Sequence, residues 1–156
     1  MTRSALVIAL AALLAGCPRG GPAPEAKTAS LPAPLCPPAG MQAAIDVFDV
    51  AEQRRSEILQ RVETYSRDEP ADFRRRLDAD IAAIREASQS VENIAVPSCL
   101  RHTRELLVLA LMRTNEALER NAPEADPIEY KRARDAADSV LAQYRSELAL
   151  QKKNVQ

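Results

Sequence analysis

Residues 99–102 read Cys-Leu-Arg-His, and His102 is the only histidine in a chain of 156 residues. A thiolate and an imidazole three residues apart supply half of a tetrahedral zinc site. The other half is missing, because the remaining cysteines, Cys17 and Cys36, stand alone and no second histidine exists. A covalent haem needs Cys-x-x-Cys-His, which does not occur. A carboxylate-bridged di-iron bundle needs two Glu-x-x-His motifs, which one histidine cannot supply. The hydroxyls nearest His102 are Ser98 and Thr103, better explained as a helix cap and a helix-face residue than as nucleophiles. No Gly-x-Ser-x-Gly elbow is present, and a chain without glycine after Gly40 offers no phosphate-cradling loop. Acids that could share a proton occur as Asp46 with Asp49 and Asp78 with Asp80. On amphipathic helices most of these face solvent. Asp80 alone lies near an apolar stripe, where it is expected to meet an arginine such as Arg55. Arg74-Arg75-Arg76 reads as an exposed charge run, with docking to acidic headgroups or an acidic partner as its alternative. The inventory predicts no catalytic residue, no metal and no cofactor, and points away from an enzyme.

One reactive position is left, Cys17. Arg3 puts a positive charge on the first four residues, residues 5–15 are apolar (ALVIALAALLA), and Gly16 precedes the cysteine. Charged, apolar and small stretches in that order make a secretory signal. The apolar run is about half of the roughly 20 residues that span a bilayer as a helix. Leu14-Ala15-Gly16-Cys17 resembles the lipobox of bacterial lipoproteins. The resemblance covers residues 1–17 and implies removal of residues 1–16, a diacylglyceryl thioether on the Cys17 sulfur, and a further acyl chain such as palmitate on its new amino group. Two or more acyl chains anchor stably, at about 0.8 kcal/mol per buried methylene. No aspartate follows Cys17, so the resemblance implies the outer membrane, facing the periplasm, rather than the inner one. The alternative is an ordinary cleaved signal with a chance cysteine at its edge.

Composition narrows the partners. Residues 1–16 carry only Arg3, so their loss takes the formal charge from −1 to −2. A near-neutral chain has no electrostatic attraction for nucleic acid, and with no tryptophan and 3% aromatic residues it lacks a stacking surface for bases or sugars. Three cysteines are an odd number for an exported protein. A lipidated Cys17 leaves Cys36 and Cys99, which an oxidising compartment would join as a disulfide or which would stay as two buried thiols. In the chain-entropy model a loop of about 60 residues closed this way stabilises by roughly 4 kcal/mol, less any strain.

The remaining question is which elements carry these residues. Residues 17–38 hold seven prolines and little that could form a core. They read as a disordered tether reaching at most about 60 Å. After Gly40 the only prolines are Pro70, Pro97, Pro123 and Pro127, which cut residues 39–156 into four segments of similar length. Proline is excluded from helix interiors and tolerated in the first turn, so helices are expected at about 39–66, 69–94, 98–121 and 127–152. Segments one, two and four each carry one apolar stripe at spacings of three and four, as in Phe73, Leu77, Ile81, Ile84 and Val91. Asp126-Pro127-Ile128-Glu129 is a strong helix start; Asp68 and Ser98 are weaker caps. Equal lengths and short connections predict an all-α, antiparallel four-helix up-down bundle with coiled-coil-like packing. That topology brings Cys36, before the first helix, to the same end as Cys99, which opens the third.

The third segment differs. Residues 106–112, LLVLALM, are apolar all round. A bundle helix meets two neighbours, so most of that breadth is core. The rest would be an exposed strip of Leu106, Leu109 and Met112 for a partner helix or a second copy. The expected function is that of a lipid-anchored envelope scaffold, adaptor or interaction protein, with the bilayer and an envelope protein as partners and homo-oligomers as one form. The alternative is a binding module holding a small apolar ligand between helices.

Overall fold

Proline opens three of the four helices among the described residues. Pro38, Pro70 and Pro127 begin α1 (Pro38–Val62), α2 (Pro70–Asn93) and α4 (Pro127–Lys153), where a missing N–H costs no helical bond. The fourth, α3 (Arg101–Glu119), is entered through a single 3-10 turn at Ser98–Leu100, closed by the Leu100 N–H on the Pro97 carbonyl at 2.9 Å. The computed structural model describes residues 38–153. The leader, Cys17, the tether and Cys36 therefore lie outside the described residues. Within them the chain is all-α, and no strand occurs among the described residues. No helix there is long and apolar enough to cross a membrane.

The boundaries differ from expectation where local hydrogen bonds compete with the helix. α1 ends four residues early, at Val62 rather than 66. The Thr64 and Tyr65 amides turn back on the Arg61 and Val62 carbonyls, and the Thr64 hydroxyl takes the Arg61 carbonyl as well, at 2.7 Å. Such side-chain bonds offer the backbone an alternative to the ladder. Asp126 caps α4 as its sequence predicts, its carboxylate accepting the Ile128 N–H at 2.8 Å. Asp68 does not cap α2: Glu69 holds that position without a side-chain bond, while the Asp68 amide donates to the Ser66 hydroxyl. Ser98 caps nothing either, since it lies inside the 3-10 turn that Pro97 begins.

The core is one continuous cluster drawn from all four helices, with Phe48, Ile58, Leu77, Ile84, Leu107, Leu111 and Tyr144 all fully buried. α3 packs closest, against α4 and α2. Fully buried alanines on both α3 and α4 (Ala110, Ala117, Ala137) permit that approach, because interaxial distance follows the side chains at the contact. α1 is held to α4 across a wider gap by long side chains. Phe48 meets Tyr144 edge to face, with ring centroids 6.3 Å apart, and Glu52 meets Arg145, Arg55 meets Asp138, and Glu63 meets Arg134. Numbers rise along α1 and fall along α4, as between antiparallel neighbours. Arg85 with Glu119, and Arg104 with the Glu92 and Ile94 carbonyls, set α2 against α3 in the same sense. At one end Arg67, from the α1–α2 connection, donates to Asn121 Oδ1 at 2.8 Å and to the Ala122 and Pro123 carbonyls. The start of α1 belongs with the α2–α3 connection, for a Cβ on Gly40 would stand 3.4 Å from Pro97 Cγ.

The two expected caps give a paired test. Asp126→Ala should lower the stability of the domain by about 1 kcal/mol, whereas Asp68→Ala should stay within roughly 0.5 kcal/mol of the parent, both read from urea unfolding followed by circular dichroism.

Candidate functional site

Three charged or hydroxyl side chains sit where the apolar stripes of their helices pass. Arg55 falls between Ala51 and Ile58 on α1 and is 4% exposed; Thr114 falls among Leu111, Ala117 and Leu118 on α3; Asp80 lies beside Ile81 on α2 and is 3% exposed. Arg55 Nε donates to Thr114 Oγ1 at 2.7 Å, and its other arm reaches the half-exposed Asp138 of α4. The Thr114 hydroxyl passes its own proton to the Ala110 carbonyl at 2.8 Å. One guanidinium thus joins α1 to α3 and α4. Asp80 does not meet Arg55. It accepts from the Arg61 guanidinium and from the Tyr65 hydroxyl, both at the α1–α2 end. The hydrogen bond that Arg61 donates to Asp80 is the main reason the Arg61 pKa rises above its ordinary value.

The other candidates separate. His102 is exposed, with Nδ1 3.8 Å from Glu105 one helical turn on. No group of three or more potential metal ligands occurs among the described residues. Each guanidinium of the arginine run is already engaged. Arg74 pairs with Glu124 at 2.8 Å, and Arg75 and Arg76 share Asp72 at 2.5 Å, with Arg76 also lying over the Tyr65 ring. The Arg75 hydrogen bond holds the Asp72 carboxyl below the usual carboxylate range. Asp46, Asp49 and Asp78 face solvent as expected. Cys99 takes part in a disulfide.

Of the α3 strip, Leu106 is half-buried against the core, while Leu109 and Met112 are exposed. The strip is therefore two residues wide, and Met112 edges a shallow hollow of about 320 Å³ between α2 and α3. A larger hollow, of about 510 Å³, lies between α1 and α2. Val47, Val50 and Ala51 form one wall and Ala83 and Ala87 the other, with Asp46, Arg54, Glu86 and Ser90 at the rim. Val50 is 69% exposed, the most exposed of the large apolar side chains described. The sequence carried a signal for this face: Ala83 and Ala87 stand one turn apart, and Val50 lies off the buried stripe of α1. No family model matches the chain, and neither a curated protein nor a solved structure matches it.

Removing Arg55 should be costly. Arg55→Ala is expected to destabilise by about 2–3 kcal/mol through lost packing and hydrogen bonds. Arg55→Lys should recover only part of this, since an ammonium lacks the fork that reaches both partners. The exposed Arg145→Ala should cost under about 1 kcal/mol, all three read by urea unfolding. Alkali gives an independent check. The three tyrosines, Tyr65, Tyr130 and Tyr144, all have hydroxyls pushed above their ordinary pKa, chiefly by burial. Above about pH 10 the unfolded chain releases those protons before the folded one, so this contribution is present below pH 10 and lost as pH rises. Tyrosinate absorbance and loss of helical ellipticity should then move together above pH 10.

Proposed function

We propose that the protein is a lipid-anchored component of the bacterial cell envelope whose helical domain acts by contact with another macromolecule, not by catalysis. The observation that carries this reading is Leu14-Ala15-Gly16-Cys17 directly after an apolar run. Acylation of Cys17 would fix the chain to a membrane, and the outer membrane, with the domain facing the periplasm, is the favoured site. The proline-rich residues 17–38 would hold the domain clear of the headgroups. A disulfide between Cys36 and Cys99 belongs to the same reading. It is supported by the bonded state of Cys99 and by Gly40, four residues after Cys36, lying against Pro97, two before Cys99. The up-down-up-down order of the helices belongs to it too, supported by the antiparallel residue pairs.

A scaffold or adaptor role is supported by where the polar chemistry goes. Of the buried polar groups, Arg55, Asp80, Thr114 and Asn121 are engaged with one another or with neighbouring segments. The two walls of the α1–α2 hollow, by contrast, are aliphatic, with charged side chains only at its rim. A second reading, a module for a small apolar ligand, draws on the same hollow, whose size suits one. It ranks lower because the hollow is a groove open along two helices.

The anchor is tested in growing cells with a radioactive fatty acid. The parent chain should be labelled and sediment with membranes, and Cys17→Ser should lose the label and leave the membrane fraction unmatured. Label retained by the serine variant would overturn the reading.

A further inference from the structure

The α1–α2 groove has a charge pattern that matches itself. Along α1, Asp46, Val50 and Arg54 follow one another at intervals of four, so they share one face, with the valine midway between an acid and a base. Asp46 and Arg54 are about 12 Å apart along the axis at 1.5 Å per residue. Arg54 has no ionic or hydrogen-bonded partner among the described residues, unlike the engaged arginines of the 74–76 run. Among the described residues Asp46 is met only by the Gln42 side chain, at 2.7 Å.

We infer that this groove is occupied by α1 of a second copy of the chain, in a two-fold dimer centred on Val50. In a two-fold contact the same patch meets itself. An antiparallel α1 would set Val50 against Val50, Arg54 of each copy against Asp46 of the other, and so close two ion pairs at once. Glu86 on the α2 rim adds a carboxylate at the groove. Ala83 and Ala87 form an α2 wall low enough for the incoming helix to lie between α1 and α2. The apolar floor supplies the attraction, and the charges select the antiparallel register, since a parallel pairing would set Asp46 against Asp46 and Arg54 against Arg54. The exposed Leu109 and Met112 on α3 have no such complement, because the charges beside them, Arg113 and Glu116, are paired with each other at 2.8 Å.

The test uses the full-length chain, co-expressed in two differently tagged copies and recovered through one tag. Parent copies should co-purify. Asp46→Arg with itself, and Arg54→Asp with itself, should each co-purify about tenfold less, because each faces like charge across the axis. Asp46→Arg mixed with Arg54→Asp should return to the parent level, since every contact is then between opposite charges, and that recovery shows that both variants are folded. Val50→Cys should give a covalent dimer on oxidation of isolated membranes, and Leu150→Cys, exposed elsewhere on α4, should not. Parent copies that do not associate, single variants that pair as well as the parent, or a mixed pair that is not restored would each overturn the dimer. A small apolar molecule found bound to a monomeric parent by native mass spectrometry would give the groove to a ligand instead.

Discussion

The placement of α1 depends on one buried guanidinium. Arg55 sits in the apolar stripe of its helix, and burying its charge is tolerable only with hydrogen bonds that replace lost water. Thr114 and Asp138 supply them from two different helices. A hydrophobic residue at 55 could slide along α3 and α4, whereas a directional fork fixes both the rotation and the height of α1. The bond from Thr114 to Ala110 keeps the acceptor in place, so the restraint is anchored in the α3 backbone itself.

The remaining contacts of α1 follow from that position. Held to α4 by Phe48–Tyr144 and by three ion pairs, it stands off at the distance those long side chains set. The two outer pairs, Glu52–Arg145 and Glu63–Arg134, are partly solvated and individually weak. They guide register more than they stabilise. Toward α2 the arrangement changes along the length. Near the connection Tyr65, Phe73, Arg61 and Asp80 close the interface with aromatic and ionic contacts. Farther along, the facing residues shrink to Ala51, Ala83 and Ala87, and the groove opens where no side chain is large enough to fill it. The groove and the Arg61–Asp80 pair are two consequences of how α1 is held.

Number and type of elements were legible in the sequence because proline and glycine act locally. A proline forbids a helix interior wherever it stands, so four prolines after Gly40 were enough to delimit four helices. Faces were legible as well, since a period of 3.6 residues belongs to each helix alone. Pairings across helices were harder. Asp80 lies beside the apolar stripe of α2, which is why an arginine such as Arg55 was its expected partner. Arg55 and Arg61, however, differ by about 240° around the helix at 3.6 residues per turn. Direction around the axis assigns Arg55 to α3 and α4 and leaves Asp80 to Arg61 and Tyr65. The groove was missed for a related reason. Whether alanines at 83 and 87 leave a groove depends on the distance to the facing helix, and a one-dimensional pattern does not contain that distance.

The two ends of the bundle are fastened by different chemistry, and this bears on how a tethered domain would carry load. At one end Arg67 gathers the α3–α4 connection through three acceptors and lies over the Phe73 ring, so both connections there move as a unit. At the other, Gly40 in the first turn of α1 lies near Pro97 and Met41 is buried in the core, so the fastening there is apolar. A pull on the chain ahead of α1 would act first on that end. A covalent link at Cys99, two residues beyond Pro97, would divert the same pull into the α2–α3 connection, behind which α3 packs closest to its neighbours.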